Sequence, residues 1–211
     1  MNPVYIHFFK RLIDSILSAL AIVVFGIPML IIAALIKLDD PGPALFKQKR
    51  IGIHKKTFTL YKYRSMKLST PHDVPTHMLD NPEQYLLKIG RTIRKYSFDE
   101  FPQFFNILKG DMSIIGPRPA LWNQDDLVAE RDKYGANDVK PGLTGWAQIN
   151  GRDQLDIPVK AKLDGEYVEN QSFLFDCKCF FRTVGKVLHH EGVVEGGTSE
   201  MHKAEMKELM K

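Results

Sequence analysis

From Ile16 to Ile36 the chain reads ILSALAIVVFGIPMLIIAALI, 21 residues without a charge. As a helix, this run extends ~31 Å, about the depth of one hydrocarbon core. It is too long for the apolar part of a cleaved signal peptide, and no small-residue cleavage site is followed by a polar start. A single-pass anchor is the plain reading. Two features oppose it. Gly26, Ile27 and Pro28 sit at the centre, where proline removes a backbone hydrogen bond and crowds the preceding turn. Both flanks are also basic: Lys10 and Arg11 precede the run, while Lys37, Lys47, Lys49, Arg50, Lys55 and Lys56 follow it. Basic flanks belong on the cytoplasmic side. A helix-break-helix hairpin that leaves through the leaflet it entered satisfies both flanks, so hairpin and span stand as equal alternatives. Asp14, one turn from Lys10 and Arg11, is placed to pair with them at the interface.

The 211 residues suffice for one domain, or one domain with an appendage, and 44% hydrophobic content is ordinary for a chain that builds a core. A net charge of +4 is too mild for a dedicated nucleic-acid binder, and no recognition motif is present. Cys177 and Cys179 are too close in sequence to close a disulfide readily, which suggests a reducing compartment. They lack the further ligands a metal site needs.

After the apolar run, LDDPGP (38–43) ends the helix. Ala44–Gln48 and Thr57–Tyr63 read as short strands joined by a turn carrying Gly52, His54, Lys55 and Lys56. Residues 69–82 form a proline-rich loop. Helices are expected over Gln84–Lys95, from Ser97 to about Lys109, over Asn123–Tyr134, Val159–Val168 and Phe173–His190. Lys140–Arg152 is Gly-rich and turn-like. The expected fold is α/β but mostly α: a membrane segment over 1–38, a compact domain with a small β element over 39–195, and a polar tail over 196–211. Phe98, Phe101, Phe104, Phe105 and Leu108 share one helical face. Phe173, Cys177, Phe180, Phe181, Val184, Val187 and Leu188 share another, beside Lys178, Arg182 and Lys186. Aromatics backed by cations suit a helix lying on anionic lipid, though core packing explains the same pattern.

The stretch SFDEFPQFF, Ser97–Phe105, sets two carboxylates among phenylalanines. Ser97-x-x-Glu100 fits a capping box, but Pro102 would cost that helix a hydrogen bond, and the second reading begins the helix at Pro102. Either way, both acids lie near a helix N-terminus, which attracts anions. Lys62, Arg64, Arg94, Lys109 and Arg118 stand in other tight elements. Carboxylates amid cations suggest a magnesium and phosphate site, since magnesium takes one or two carboxylates plus phosphate oxygens, and arginine grips phosphate bidentately. No Walker loop or G-x-G-x-x-G is present. A carboxylate can also act as a nucleophile. The residues by themselves point to phosphoryl transfer at a membrane surface.

Taken in order, KRLID (10–14), YKYRSM (61–66), SFDEFPQ (97–103), GDMS (110–113), GPRP (116–119) and KPGLTGWAQ (140–148) resemble the bacterial sugar transferase family, the monotopic phosphoglycosyl transferases, over roughly residues 8–192. The chain has the size of that family's minimal catalytic form. The resemblance implies transfer of a sugar 1-phosphate from a UDP-sugar to undecaprenyl phosphate, with UMP released, at the start of capsule, O-antigen or exopolysaccharide assembly. It implies a ping-pong mechanism in which Asp99 attacks phosphorus, Glu100 assists, and magnesium bound by Asp99 and Glu100 neutralises the diphosphate. Lys62, Arg64, Arg94 and Arg118 are the expected phosphate contacts. It also implies a re-entrant helix broken at Gly26, Ile27 and Pro28, both ends cytoplasmic, in the bacterial inner membrane. Relatives often carry Ser where this chain has Ile27. The phenylalanines of SFDEFPQFF and of the last helix would then rest in lipid, and a homodimer is plausible. GPRPALWNQ (116–124) leans towards initiators that use amino-deoxy sugars, with loops 69–82 and 120–139 as carriers of the choice. A non-catalytic membrane-surface adaptor that kept the fold is the alternative, and an intact Asp99-Glu100 pair speaks against it.

Overall fold

The computed structural model describes residues 3–71, 82–151 and 155–189. Most of the proline-rich loop, Arg152 and the tail over 196–211 lie outside them. A π-helical turn, Tyr5–Phe9, leads into α1, Lys10–Asp39. The 30 residues of α1 run to ~45 Å. The helix is uninterrupted through Gly26, Ile27 and Pro28, so proline acts inside a continuous helix. Val23, Ile27 and Leu30 are each more than 70% exposed. This is the one helix among the described residues long and apolar enough to cross a membrane.

One stripe of α1 faces the rest of the protein. Its polar end is Lys10, Asp14 and Ser18, and its apolar end is Met29, Ile32 and Ile36. Lys10 does not pair with Asp14, as expected from their spacing. Instead its ammonium meets Asp176 at 2.6 Å, where the Tyr5 hydroxyl also donates at 2.6 Å. Tyr167 closes this buried cluster, its hydroxyl 2.9 Å from Asp176 Oδ1 and 3.0 Å from the Ile115 carbonyl. Asp14 accepts the Ile114 amide at 3.1 Å. Arg11 donates to the carbonyls of Ile107 and Leu108, at the C-terminus of α3, Gln103–Lys109, which the helix dipole makes negative. Far along α1, the Tyr63 hydroxyl donates to the Met29 carbonyl at 2.7 Å.

Strands β1, Leu45–Ile51, and β2, Thr57–Tyr63, form an antiparallel hairpin. β1 runs three residues beyond its expected end at Gln48. The register sets Phe46 opposite Lys62, Gln48 opposite Leu60 and Arg50 opposite Phe58. Residues opposite one another share a face, so Arg50, Gln48 and Lys62 line one side of the ribbon. α2 covers only Lys88–Lys95, a 3-10 turn at Pro82–Tyr85 replacing its expected start. The remaining helices are α4, Asp125–Asp132; α5, Trp146–Ile149; α6, Ile157–Asn170; and α7, Phe173–His189. The segment read as turn-like holds α5 and a strand, β4, Gly142–Thr144, parallel to β3, Ser113–Ile115. These elements of three or four residues are too short for periodicity to reveal.

The described residues are mostly helical with two two-stranded sheets. One core gathers Leu60, Ile107, Met112, Ile149, Tyr167 and Cys179. A second joins Met29, Ile32 and Ile36 of α1 to Tyr63, Leu87 and Ile93. On α7, Phe173, Leu174, Phe180, Phe181, Val184 and Val187 are exposed, while Cys179 is buried and Lys178 and Arg182 lie over the Trp146 ring. Of the two readings, an exposed aromatic face is the observed one, with Phe173 edge-on to the Tyr5 ring at 6.2 Å.

β3 and β4 meet through glycine. A Cβ on Gly145 would stand 2.1 Å from the Gly116 carbonyl oxygen, backbone that cannot yield cheaply. Gly145→Ala is expected to cost ~1–3 kcal/mol through overpacking, read as a lowered melting temperature in detergent. Gly26→Ala, where a Cβ meets nothing within 4 Å, serves as the control and leaves melting unchanged or slightly raised.

Candidate active site

SFDEFPQFF does not fold as one helix. Ser97 takes left-handed angles (φ 57°) and caps nothing, so the capping-box reading is corrected. Phe98–Glu100 make a single 3-10 turn, and Pro102 precedes α3, where its missing N–H costs nothing. The second reading, with the acids ahead of a helix that begins near Pro102, is the observed one. The break also divides the phenylalanines. Phe98 and Phe105 are exposed, Phe101 packs 5.0 Å from the Phe25 ring of α1, and Phe104 lies against the first core. They do not form one lipid-facing stripe, because the 3-10 turn and the helix have different periods and axes.

The turn buries Asp99 and directs Glu100 at two cations. Glu100 Oε1 accepts from Lys62 Nζ at 2.8 Å and from Arg118 Nη2 at 2.9 Å. Burial pushes the Asp99 carboxyl above the usual carboxylate range, and the Glu100 charge adds to this. Lys62, Arg94 and Arg118 oppose the shift. Burial also draws Lys62 below the usual lysine range, with Glu100 resisting.

Lys62, Arg94 and Arg118 are thus gathered about the acid pair. Arg64 is not among them. It lies just past β2 and turns to Asp40, with its guanidinium on the Asp40 carboxylate and carbonyl and on the Pro43 carbonyl at 2.8 Å. That ties the chain leaving α1 to the hairpin, a structural task in place of the expected phosphate contact.

Arg118 comes from the segment after β3. Its own carbonyl accepts Arg131 Nη2 at 3.0 Å, and Arg131 is held by Asp164 Oδ2 through Nε at 2.8 Å and Nη2 at 2.6 Å. Both members of that pair are buried. Next in the chain, the Pro119 carbonyl accepts Arg50 Nη1 at 2.9 Å. Sequence reading named Arg50 only as a basic flank of the apolar run and passed over Arg131 and Asp164. A lone arginine and a lone aspartate in different helices carry no local signal that they meet.

Among the described residues no group of three or more His, Cys, Asp and Glu side chains could hold a metal. The acid pair offers two carboxylates, a donor set that suits magnesium when phosphate oxygens complete the shell.

Buried acids thus face cations on a domain docked to an apolar helix. Residues 5–190 match the family model for bacterial sugar transferases, and the chain belongs to that family. It is 44% identical over 184 residues to the uncharacterized sugar transferase EpsL of Bacillus subtilis (strain 168), covering 87% of this chain and 89% of the relative. It is 37% identical over 195 residues to the UDP-N-acetylgalactosamine-undecaprenyl-phosphate N-acetylgalactosaminephosphotransferase of Aeromonas hydrophila, covering 89% and 45%. It is 38% identical over 190 residues to the UDP-glucose:undecaprenyl-phosphate glucose-1-phosphate transferase of Escherichia coli (strain K12), covering 84% and 39%. The chain therefore matches less than half the length of the last two.

The raised Asp99 sets a sign for stability. Above its ordinary pKa the unfolded chain has already lost a proton that the folded carboxyl still favours, so ionised Asp99 destabilises the fold at neutral pH. Asp99→Asn is expected to melt at a higher temperature than wild type at pH 8. The difference shrinks towards pH 4, as thermal scans across pH would read.

Proposed function

We propose that this chain transfers a sugar 1-phosphate from a UDP-sugar to a polyprenol phosphate, undecaprenyl phosphate by analogy with its relatives, and releases UMP. The observation that carries the reading is buried Asp99 beside a Glu100 held by Lys62 and Arg118. An Asp99 carboxylate oxygen attacks the phosphorus bearing the sugar. The bond from that phosphorus to the UMP oxygen breaks, and UMP departs with the electron pair. The polyprenol phosphate oxygen then attacks the same phosphorus, the bond to Asp99 breaks, and a sugar-bearing polyprenyl diphosphate leaves with Asp99 restored. Lys62, Arg94 and Arg118 offset charge on the transferring phosphoryl group. Asp99 and Glu100 would hold a magnesium ion, which supplies charge neutralisation to the diphosphate when bound.

The re-entrant membrane reading belongs to the same proposal. Lys10 and Met29, at opposite ends of the α1 stripe, both dock on the domain that carries Asp99. Basic residues flank the apolar run at both ends. A helix tied at two places to one domain lies along a single leaflet on this reading, and it does so without a break at Pro28.

Purified protein with magnesium, undecaprenyl phosphate and a panel of UDP-sugars is expected to release UMP with one donor. Asp99→Asn is expected to lose at least ~10³-fold, and wild type with donor alone to carry a phosphosugar adduct on Asp99 by mass spectrometry. Activity should fall as pH drops through an apparent pKa above the ordinary aspartate value, because protonated Asp99 cannot attack. Unchanged release by Asp99→Asn removes Asp99 as nucleophile. For topology, His7→Cys and Lys47→Cys, each with Cys177 and Cys179 replaced by alanine, should both react with an impermeant maleimide in inverted vesicles and neither in right-side-out ones. Labelling from opposite sides means a spanning helix.

A further inference from the structure

The segment from Gly116 to Ala120 is neither helix nor strand, and Pro117 and Pro119 deprive it of two backbone donors. It can be held chiefly through its carbonyls, and every carbonyl from Pro117 to Ala120 is held. Pro117 accepts Gly142 N at 2.8 Å and Ala120 accepts Ile51 N at 2.9 Å. Between them, Arg118 accepts Arg131 and Pro119 accepts Arg50. The two outer grips are backbone to backbone. The two inner ones, flanking the Arg118 side chain, are guanidinium groups brought from other elements.

Each guanidinium is itself fastened. Asp164 takes Nε and Nη2 of Arg131, and Gln48 Oε1 takes Nε and Nη2 of Arg50 at 3.0 and 2.6 Å. Using Nε and one Nη for orientation leaves a defined donor for the carbonyl, a geometry lysine cannot reproduce. Burying the Arg131–Asp164 pair carries a desolvation penalty, and burial pushes Asp164 above the usual carboxylate range. Apolar residues would fill that place at less cost if packing were the only need.

The Arg50 grip closes a ring of contacts around the acid. Arg50 and Lys62 lie on one face of the hairpin. Lys62 meets Glu100 Oε1, Glu100 Oε1 meets Arg118, and the carbonyl following Arg118 returns to Arg50. The separation of Lys62 from Arg118 is thereby set by the hairpin rather than by a loop.

We propose that Arg50 and Arg131 are positioning residues for Arg118, a clamp on the Pro-Arg-Pro backbone that holds its guanidinium where charge develops on the transferring phosphoryl group. This rests on the phosphoglycosyl transfer proposed above. Displacement of a catalytic group by about 1 Å costs on the order of 10²-fold in rate, so the clamp acts on turnover more than on donor affinity.

The test uses full-length protein and steady-state UMP release with the donor found active. Arg50→Met is expected to lower kcat ~10–100-fold with the donor KM changed less than ~3-fold. Arg50→Lys, which keeps one donor for Pro119, recovers part of the loss. Arg118→Lys lowers kcat on its own, and adding Arg50→Met to it lowers kcat little further, because Arg50 acts through Arg118. Multiplying losses in the double variant, or a wild-type kcat in Arg50→Met, overturn the proposal while leaving the reaction intact. Absence of UMP release by wild type from every donor overturns the reaction itself and this inference with it. If Arg50→Met does not fold, Gln48→Ala decides: a kcat loss of at least ~3-fold at unchanged melting temperature supports the clamp, and an unchanged kcat overturns it.

Discussion

The structure depends on how the apolar helix is tied to the domain. Lys10 and Asp176 meet in a buried pair, with the hydroxyls of Tyr5 and Tyr167 on the same carboxylate. A buried ion pair contributes little net stability, but losing one member leaves a charge without compensation. Its value lies in fixing one arrangement. Tyr167 carries the connection to the Ile115 carbonyl at the end of β3, and Asp14 fixes the neighbouring Ile114 amide. Arg11 caps α3, whose other end adjoins the Asp99 turn. Two consecutive elements of the frame, α3 and β3, are therefore referenced to the same turn of α1.

This docking ties the apolar surfaces to the acid pair. α1 exposes a broad apolar surface and α7 a second one. Where these surfaces settle in lipid, the strand before Arg118 and the turn bearing Asp99 settle with them. The acid pair lies at the end of α3 away from the Arg11 cap. Its acids are sheltered among Lys62, Arg94 and Arg118.

Much of this was legible before any coordinates. The uncharged run read as a helical membrane segment, either spanning or broken at Pro28, and the helix proves continuous. The strand pair was evident from β-prone residues on either side of a turn, and Asp99, Glu100, Lys62 and Arg118 from their chemical types within a recognisable order of motifs. Arg64 was misjudged because a cation two residues from Lys62 looks equivalent in a strand pattern, whereas the strand ends at Tyr63 and the next residue turns away. The phenylalanine stripe failed for a related reason. Helical periodicity was projected across Pro102, where one helix had not yet begun. Asp14 was assigned to its sequence neighbours, but a strand amide a hundred residues away claimed it.

The sequence by itself determined the elements and the reactive groups: an apolar helix, a hairpin, an adjacent acid pair and a set of cations. Hydrophobic pattern and side-chain chemistry are local properties, and a reader of the chain has them in full. Only the tertiary structure decided which cations serve the acids and which serve the frame. Arg118 and Arg64 are chemically identical. One reaches Glu100 because glycines 116 and 145 let β3 and β4 approach and two distant guanidinium groups hold its backbone, while the other is spent on Asp40. Such assignments follow from contacts between residues far apart in the chain, and no local pattern encodes them.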